Sequence, residues 1–213
     1  LFGCDNGRVY VLKDGFDFAS TIGPSEYWSY QLDGPVVSHV DYYRSGEAGF
    51  DIQDRLFAVT ESGSIYAFQG PDYEHDVIVP TLIWQRQLTN VTLTGSTVSA
   101  DGRYVFVGSV DGYIYGLDAT TGIDIPEWSE PYRVSETGYW TPPVASGTPA
   151  VVYASTPDGY IHSIWGANGT ARKGWMHFED NELVPGFEIR NDLGAADGGN
   201  LTDVLVTKDG MMR

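Results

Sequence analysis

The sequence predicts an all-β fold built from repeated four-stranded antiparallel units, and three observations lead to that prediction. Five segments share one pattern, an apolar run, a short turn ending in glycine and a second, alternating apolar run. The turn glycines recur at a nearly constant spacing. No segment offers a sustained helical apolar period that is free of glycine and proline, so we expect little helix.

Each shared segment predicts a β-hairpin. The turns are Asn6-Gly7, Ser62-Gly63, Asp111-Gly112, Asp158-Gly159 and Asp209-Gly210. Asn-Gly and Asp-Gly favour type I′ turns, in which both central residues have φ > 0. Alternate apolar residues of packed sheets are buried, which predicts a core containing Val36, Val98, Val107, Ile114, Val144, Val152 and Ile161.

The repeat period indicates the architecture. The turn glycines lie 56, 49, 47 and 51 residues apart, and each interval also holds a tryptophan segment and a segment of small residues and valine. A period of about 50 residues with four strands is typical of a β-propeller blade. We expect a single partial propeller over residues 1–213 that further sequence or other chains complete. Its units are 1–27 (the last strands of a blade plus a linker), the blades 28–83, 84–127 and 128–174, and the incomplete blade 175–213.

Two segments carry a resemblance to a known family. YVFVGSVDGYIYGLDATTG (104–122) and AVVYASTPDGYIHSIWGANG (150–169) resemble the repeat of PQQ-like, or quinoprotein-alcohol-dehydrogenase-like, propellers. The resemblance implies a tryptophan that docks between adjacent blades, here Trp128 and Trp175. Residues 193–210 also resemble the FG-GAP and VCBS propeller repeats. That likeness implies a calcium loop, with Asp197 and Asp203 as candidate ligands, although the intervening acids of the loop are missing.

The charge balance narrows the possible partners. The chain has 12 Lys and Arg against 29 Asp and Glu, a net charge of −17. Such an acidic chain repels phosphate backbones, so we expect no nucleic acid partner. No apolar run approaches the roughly 18 residues that span a bilayer. The acids are interpreted as a solvated surface, with adaptation to salt or calcium-binding loops as open alternatives.

The sequence offers little for catalysis. No nucleophile elbow, zinc-protease or phosphate-loop motif is present, so no catalytic residue is assigned. The family resemblance implies a quinone and calcium at the ring axis, often under a disulfide of neighbouring cysteines. Cys4 is the single cysteine, so we expect no cofactor. His39 and Asp41 would face the same side of a strand, which favours a structural pair over a metal site.

We therefore predict a non-enzymatic module for protein–protein interaction or structural scaffolding. Its partners would be other protein chains or further blades of the same protein, and aromatic-rich segments such as 41–50 and 71–80 would supply contacts. The alternatives are a fragment of a PQQ-dependent dehydrogenase, whose active-site blades lie elsewhere, and a fragment of a luminal sensor ectodomain.

Three Asn-x-Ser/Thr sequons bear on location. They are Asn90 (NVT), Asn168 (NGT) and Asn200 (NLT), half of the six asparagines in the chain. Each is in or near a predicted loop, where a glycan could project. They predict a glycoprotein that is extracellular, at the cell surface or in a secretory lumen, or periplasmic in a bacterium. The open alternative is that Asn and Thr are simply common in β-rich loops.

Overall fold

The computed structural model describes residues 2–13, 25–43, 54–70, 80–138, 141–156 and 161–172. The regular secondary structure in these ranges consists of β-strands. No helix long and apolar enough to cross a bilayer is found among these residues. The strands are β1 (Phe2–Gly3), β2 (Arg8–Lys13), β3 (Ser25–Gln31), β4 (Val36–Tyr43), β5 (Arg55–Thr60), β6 (Ser64–Gln69), β7 (Thr81–Gln87), β8 (Leu93–Val98), β9 (Tyr104–Ser109), β10 (Tyr113–Asp118), β11 (Tyr132–Arg133), β12 (Val144–Ser146), β13 (Val151–Ser155) and β14 (Ile161–Trp165).

The strands form four antiparallel sheets in chain order. The first sheet is β1-β2-β3, the second β4-β5-β6-β7, the third β8-β9-β10-β11 and the fourth β12-β13-β14. Four of the five predicted hairpins are confirmed, as the pairs β1–β2, β5–β6, β9–β10 and β13–β14. The fifth, at Gly210, lies outside the described residues.

The hydrogen-bonded sheets are offset by one strand from the units expected from the sequence. Trp84 was expected to open a unit, but it lies on β7, which pairs with β6 and closes the sheet that begins at Val36. Trp28 lies on β3, which likewise ends its sheet. A repeat period fixes the length of the unit but not its phase, and the phase is decided by which strands pair.

The hairpin turns have left-handed glycines but a different turn type from the predicted one. The φ angles are 76° at Gly7, 86° at Gly63 and 93° at Gly112, and no other residue of these three turns has positive φ. The Gly112 N–H donates to the Ser109 carbonyl at 3.0 Å, so Val110 and Asp111 are the central pair. This is a type I turn followed by a left-handed glycine, and the type I′ prediction was wrong. Gly159 and Gly210 lie outside the described residues.

The core consists of the layers between consecutive sheets. On β5, Leu56 and Ala58 pack toward the first sheet, whereas Phe57 and Val59 pack toward the third. Both faces of the middle strands are therefore buried, and every residue of β5 is buried. Burying a side chain such as Phe57 contributes about 1.5–3 kcal/mol, so the sheets are stabilised largely by their neighbours.

The predicted core residues fall into two groups. Five are buried, namely Val36, Val107, Ile114, Val152 and Ile161. Val98 and Val144, on β8 and β12, are only partly buried. Position at the edge of a sheet does not by itself explain this difference, since Val36 and Ile161 are buried and also lie on edge strands.

Candidate binding site at the inner strands

Three strands, called here the inner strands, lie side by side at the edges of their sheets. They are β4, β8 and β12; β8 contacts both of the others. An edge strand leaves one row of backbone N–H and C=O groups without a partner in its own sheet. The inner strands therefore bring the free edges of three sheets together.

A cavity of 440 Å³ lies beside the inner strands. Four of its eight lining residues are apolar, Val37, Leu93, Val110 and Pro142, and four are polar, Ser38, His39, Thr92 and Thr94. The Val110 N–H donates to the Thr92 carbonyl at 2.9 Å, which places this part of the lining next to a hairpin turn. Ligand pockets in proteins typically measure about 300–1,000 Å³, so the cavity is large enough to hold a ligand group.

A carboxylate beside the cavity links the second and third sheets. Asp41 on β4 accepts a hydrogen bond from the Ser96 hydroxyl on β8, and its other oxygen is 2.9 Å from His39 Nε2. Burial raises the pKa of Asp41, since only 13% of its side chain is exposed, and the hydrogen bonds from His39 and Ser96 oppose that rise. The hydrogen bond to Asp41 raises the pKa of His39, against a smaller opposing effect of burial.

Ser38 is held in an unfavourable backbone conformation at the cavity wall. Its φ is 63°, which for a residue other than glycine costs about 1–2 kcal/mol. The pairing of β4 with β5 is interrupted between Val37 and Asp41, which is the irregularity of a β-bulge. The bulge places Ser38 and His39 in the cavity lining, and Ser38 Oγ is 3.3 Å from His39 Nδ1. That distance is longer than a normal hydrogen bond of a hydroxyl group. The Ser38 hydroxyl can therefore give up this weak contact and bond to a ligand instead.

Thr94 is the second polar group of interest in the lining. Its side chain is 8% exposed, and its hydroxyl has no hydrogen-bond partner among the described residues. A buried hydroxyl without a partner costs about 1–3 kcal/mol. Its oxygen is also almost inaccessible to solvent, so a ligand in the cavity would supply the missing hydrogen bond only if the lining moved to admit it.

Tryptophans lock neighbouring sheets together. The indole N–H of Trp84 donates to the Ala119 carbonyl at 3.1 Å, and that of Trp128 donates to the Gly166 carbonyl at 2.8 Å. Trp128 lies between the third and fourth sheets and is 7% exposed. A Cβ atom at Gly169, where φ is 68°, would lie 2.7 Å from the Trp128 ring, so this approach requires glycine. Trp175, the other tryptophan implied by the family resemblance, lies outside the described residues.

One end of the sheets is rich in exposed acids and is called here the turn end. It carries the hairpin turns and the connections that lead into β4 and β12: the Ser62 hydroxyl donates to the Asp33 carbonyl at 3.1 Å, and the Val134 N–H donates to the Gly112 carbonyl at 2.8 Å. Its exposed acids are Asp5, Asp33, Glu61, Asp111 and Glu136. The cavity lies at this end, since its lining residue Val110 belongs to a hairpin turn, in which Asp111 follows it.

Of the remaining candidate residues, the structure describes Asn90 and Asn168 but not the others. Asn90 and Asn168 are exposed, and the Asn168 side-chain oxygen accepts a hydrogen bond from the Thr170 hydroxyl at 2.8 Å. Asn200 and the calcium candidates Asp197 and Asp203 lie outside the described residues. Within the described ranges, no group of three His, Cys, Asp or Glu side chains could hold a metal ion.

The sequence predicts that His39 and Asp41 face the same side of a strand, but it does not indicate the other members of this site. Ser96 is 55 residues from Asp41, and only the stacking of two sheets makes them neighbours. Ser38 and Thr94 are ordinary polar residues in strand-like segments, and nothing in the pattern marks them. The sequence signal that came nearest is the segment GSTVSA from Gly95, which predicts an inner strand but assigns no role to its hydroxyls.

Comparison with solved structures identifies the fold. BamB from Moraxella catarrhalis is 21% identical with a TM-score of 0.55, over 80% of this chain and 42% of BamB. A chain of the mitotic checkpoint complex is 14% identical with a TM-score of 0.59, over 85% of this chain and 49% of that one. Sqt1 from Chaetomium thermophilum, solved bound to the N-terminus of ribosomal protein L10, is 15% identical with a TM-score of 0.59, over 83% and 48% respectively.

These likenesses define the architecture and not a family. No family model and no curated protein matches the chain. The chain spans less than half the length of the three neighbours above. At such identities the likeness carries the fold alone, since one fold hosts many functions. The antiparallel sheets, their stacking and these neighbours together show that the chain has the β-propeller fold.

Proposed function

We propose that this chain is a non-enzymatic β-propeller module that binds another protein through its turn end. The observation that carries the proposal is that exposed acids and the cavity occur at the same end of a rigid scaffold. Loops and turns that a rigid scaffold positions commonly carry recognition. The Trp84 and Trp128 locks supply that rigidity, because each joins a sheet to the next by a hydrogen bond and a packed ring.

The comparisons support the same proposal by analogy. One neighbour, Sqt1, was solved bound to a segment of a ribosomal protein, and another belongs to a checkpoint complex. Those partners are properties of Sqt1 and of the checkpoint protein. For this chain the analogy supports a protein partner in general, either another chain or further blades of the same protein. We also propose that residues 1–213 form one partial propeller, in line with the repeat period.

We further propose that the protein works outside the cytosol, at the cell surface or in a secretory lumen. The exposed sequons Asn90 and Asn168 support this location, because an acceptor asparagine must be accessible to be glycosylated. The test is expression in a eukaryotic secretory host, followed by glycosidase treatment and mass measurement. The proposal is supported if glycosidase treatment lowers the mass of the parent chain through glycans at Asn90 and Asn168, and if the Asn90→Gln/Asn168→Gln double variant lacks that part of the mass loss. Unmodified asparagines at both sites contradict it.

Protein binding at the turn end is tested by cross-linking in cells of the source organism. A reagent that joins carboxylates to lysine amines suits this chain, since the turn end presents Asp5, Glu61 and Asp111. Mass spectrometry then locates the linked carboxylates. We expect links to one partner protein at these three residues and few at Glu127 and Glu130, which are exposed in the loop between β10 and β11. Links confined to that loop, or spread evenly over the surface, contradict the proposal.

A further inference from the structure

We propose that the cavity beside the inner strands binds an extended segment of the partner protein, one that carries an apolar side chain flanked by lysine or arginine. This inference rests on the proposed protein-binding function and adds the place of binding and the chemistry of the partner. Three independent features support it, namely the apolar wall of the cavity, the weakly bonded Ser38 hydroxyl with the free strand edges, and the acids at the turn end.

The apolar wall suits one side chain of the partner. Val37, Leu93, Val110 and Pro142 form half of the lining, and the volume of 440 Å³ exceeds that of a single large apolar residue. Burial of such a side chain removes apolar surface from water, which is the main favourable term in most protein association. The other four lining residues are polar, so an entirely apolar ligand would offer no hydrogen bond to hydroxyls such as that of Ser38.

The polar groups suit the backbone of an extended segment. The Thr94 hydroxyl has no partner among the described residues, and the Ser38 hydroxyl is engaged only through long contacts, at 3.3 Å and 3.5 Å. Each hydroxyl can both donate and accept, as the N–H and C=O groups of a peptide require. The adjoining edges of β4 and β8 carry backbone groups that their own sheets do not pair. An extended peptide can pair with such a strand edge, as in known cases of strand addition, and its backbone can also bond to the exposed Ser38 hydroxyl.

The charge around the mouth decides which peptide fits. Asp111 follows the lining residue Val110 directly, and Glu61 is held beside the second sheet, where its N–H donates to the Pro35 carbonyl at 2.9 Å. Asp33 also lies at the turn end, where its carboxylate accepts hydrogen bonds from the Thr60 and Ser64 hydroxyls. Acids at the rim attract lysine and arginine and disfavour an acidic partner. An inorganic cation fits less well, because no three suitable ligands converge within the described ranges.

The test uses two synthetic peptides and the full chain. Both peptides are twelve residues long with a central leucine; one has lysine and arginine at the flanking positions, and the other has glutamate there. Binding is measured by calorimetry at low and at high salt. We expect the basic peptide to bind about tenfold more tightly than the acidic one, and to weaken as salt rises, since salt screens the rim charges.

Three variants, with a fourth in reserve, test where the peptide binds. Val110→Phe fills the cavity and should abolish binding of the basic peptide. Glu61→Lys reverses a rim charge and should weaken binding about fivefold. Glu127→Lys makes the same charge change in the loop between β10 and β11 and should leave binding unchanged. Circular dichroism of each variant confirms that the sheets are intact, and Thr94→Val, which keeps the side-chain shape, serves as a second cavity variant if Val110→Phe fails to fold.

The possible results separate this inference from the function on which it rests. Equal binding of both peptides, no binding of either, or binding that survives the cavity variant overturns the inference. Cross-links at Asp5, Glu61 and Asp111 would still support protein binding at the turn end in that case. An absence of those cross-links, together with an inert cavity, overturns both.

Discussion

Replacing Trp128 tests the lock that joins the third and fourth sheets. Trp128 is only 7% exposed. Its ring stacks on Phe106, with the ring centroids 5.9 Å apart, and its N–H donates to the Gly166 carbonyl at 2.8 Å. Trp128→Ala removes the ring and the hydrogen bond together. Trp128→Phe keeps an aromatic ring and removes the N–H, so comparing the two variants separates packing from hydrogen bonding.

The size of each effect follows from burial. Truncating a buried tryptophan to alanine costs about 3–5 kcal/mol of unfolding free energy. Losing the N–H leaves the buried Gly166 carbonyl without a partner, which costs about 1–3 kcal/mol. In a domain of this size about 1 kcal/mol shifts the melting temperature by about 2–4 °C. Trp128→Ala should therefore melt at least about 6 °C below the parent, and Trp128→Phe at an intermediate temperature.

The assays are thermal unfolding and urea unfolding, both followed by circular dichroism, which does not depend on the tryptophan that is removed. Trp84→Phe is the matched control, because Trp84 makes the same kind of hydrogen bond, to the Ala119 carbonyl, but is only partly buried. Its loss should be smaller than that of Trp128→Phe. Equal losses for the two Phe variants, or a loss below about 1 kcal/mol for Trp128→Ala, would refute the packing argument.

Two further predictions concern backbone strain and pH. Gly112→Ala should destabilise more than Gly147→Ala: both glycines have positive φ, but a Cβ at Gly112 would lie 2.1 Å from the Ser135 carbonyl oxygen, whereas the nearest atom at Gly147 is 3.4 Å away. Similar losses in urea unfolding would contradict this steric reason. The pKa values of Asp41 and His39 are raised by folding, from ordinary values of 3.8 and 6.5, so the folded state binds protons more tightly. Their stabilisation is complete below those values and is lost as pH rises through the raised pKa values. Asp41→Asn should flatten this decline, measured by urea unfolding as pH rises through the raised pKa values, and an unchanged slope would contradict the assignment.

The hairpins show which structural features the local sequence can predict. Alternating apolar residues around a turn glycine determine an antiparallel pair, because the strands are adjacent in the chain and the glycine permits left-handed backbone. The turn type could not be read in the same way. A type I′ turn and a type I turn with a following glycine both need a left-handed glycine. Only the hydrogen bond from Gly112 to Ser109 shows which residues are central.

The sequence by itself determined the all-β class, the repeat and the strands, because periodicity and turn chemistry act over a few residues. It also brought His39 and Asp41 together, since residues two apart on a strand share a face. Only the tertiary structure decided that Ser96 bonds to Asp41, that Trp128 reaches Gly166, and that Thr94 is buried without a partner. These contacts join residues of different sheets, and their geometry depends on how whole sheets stack. The candidate site exists only where those sheets meet, and no local pattern records that arrangement.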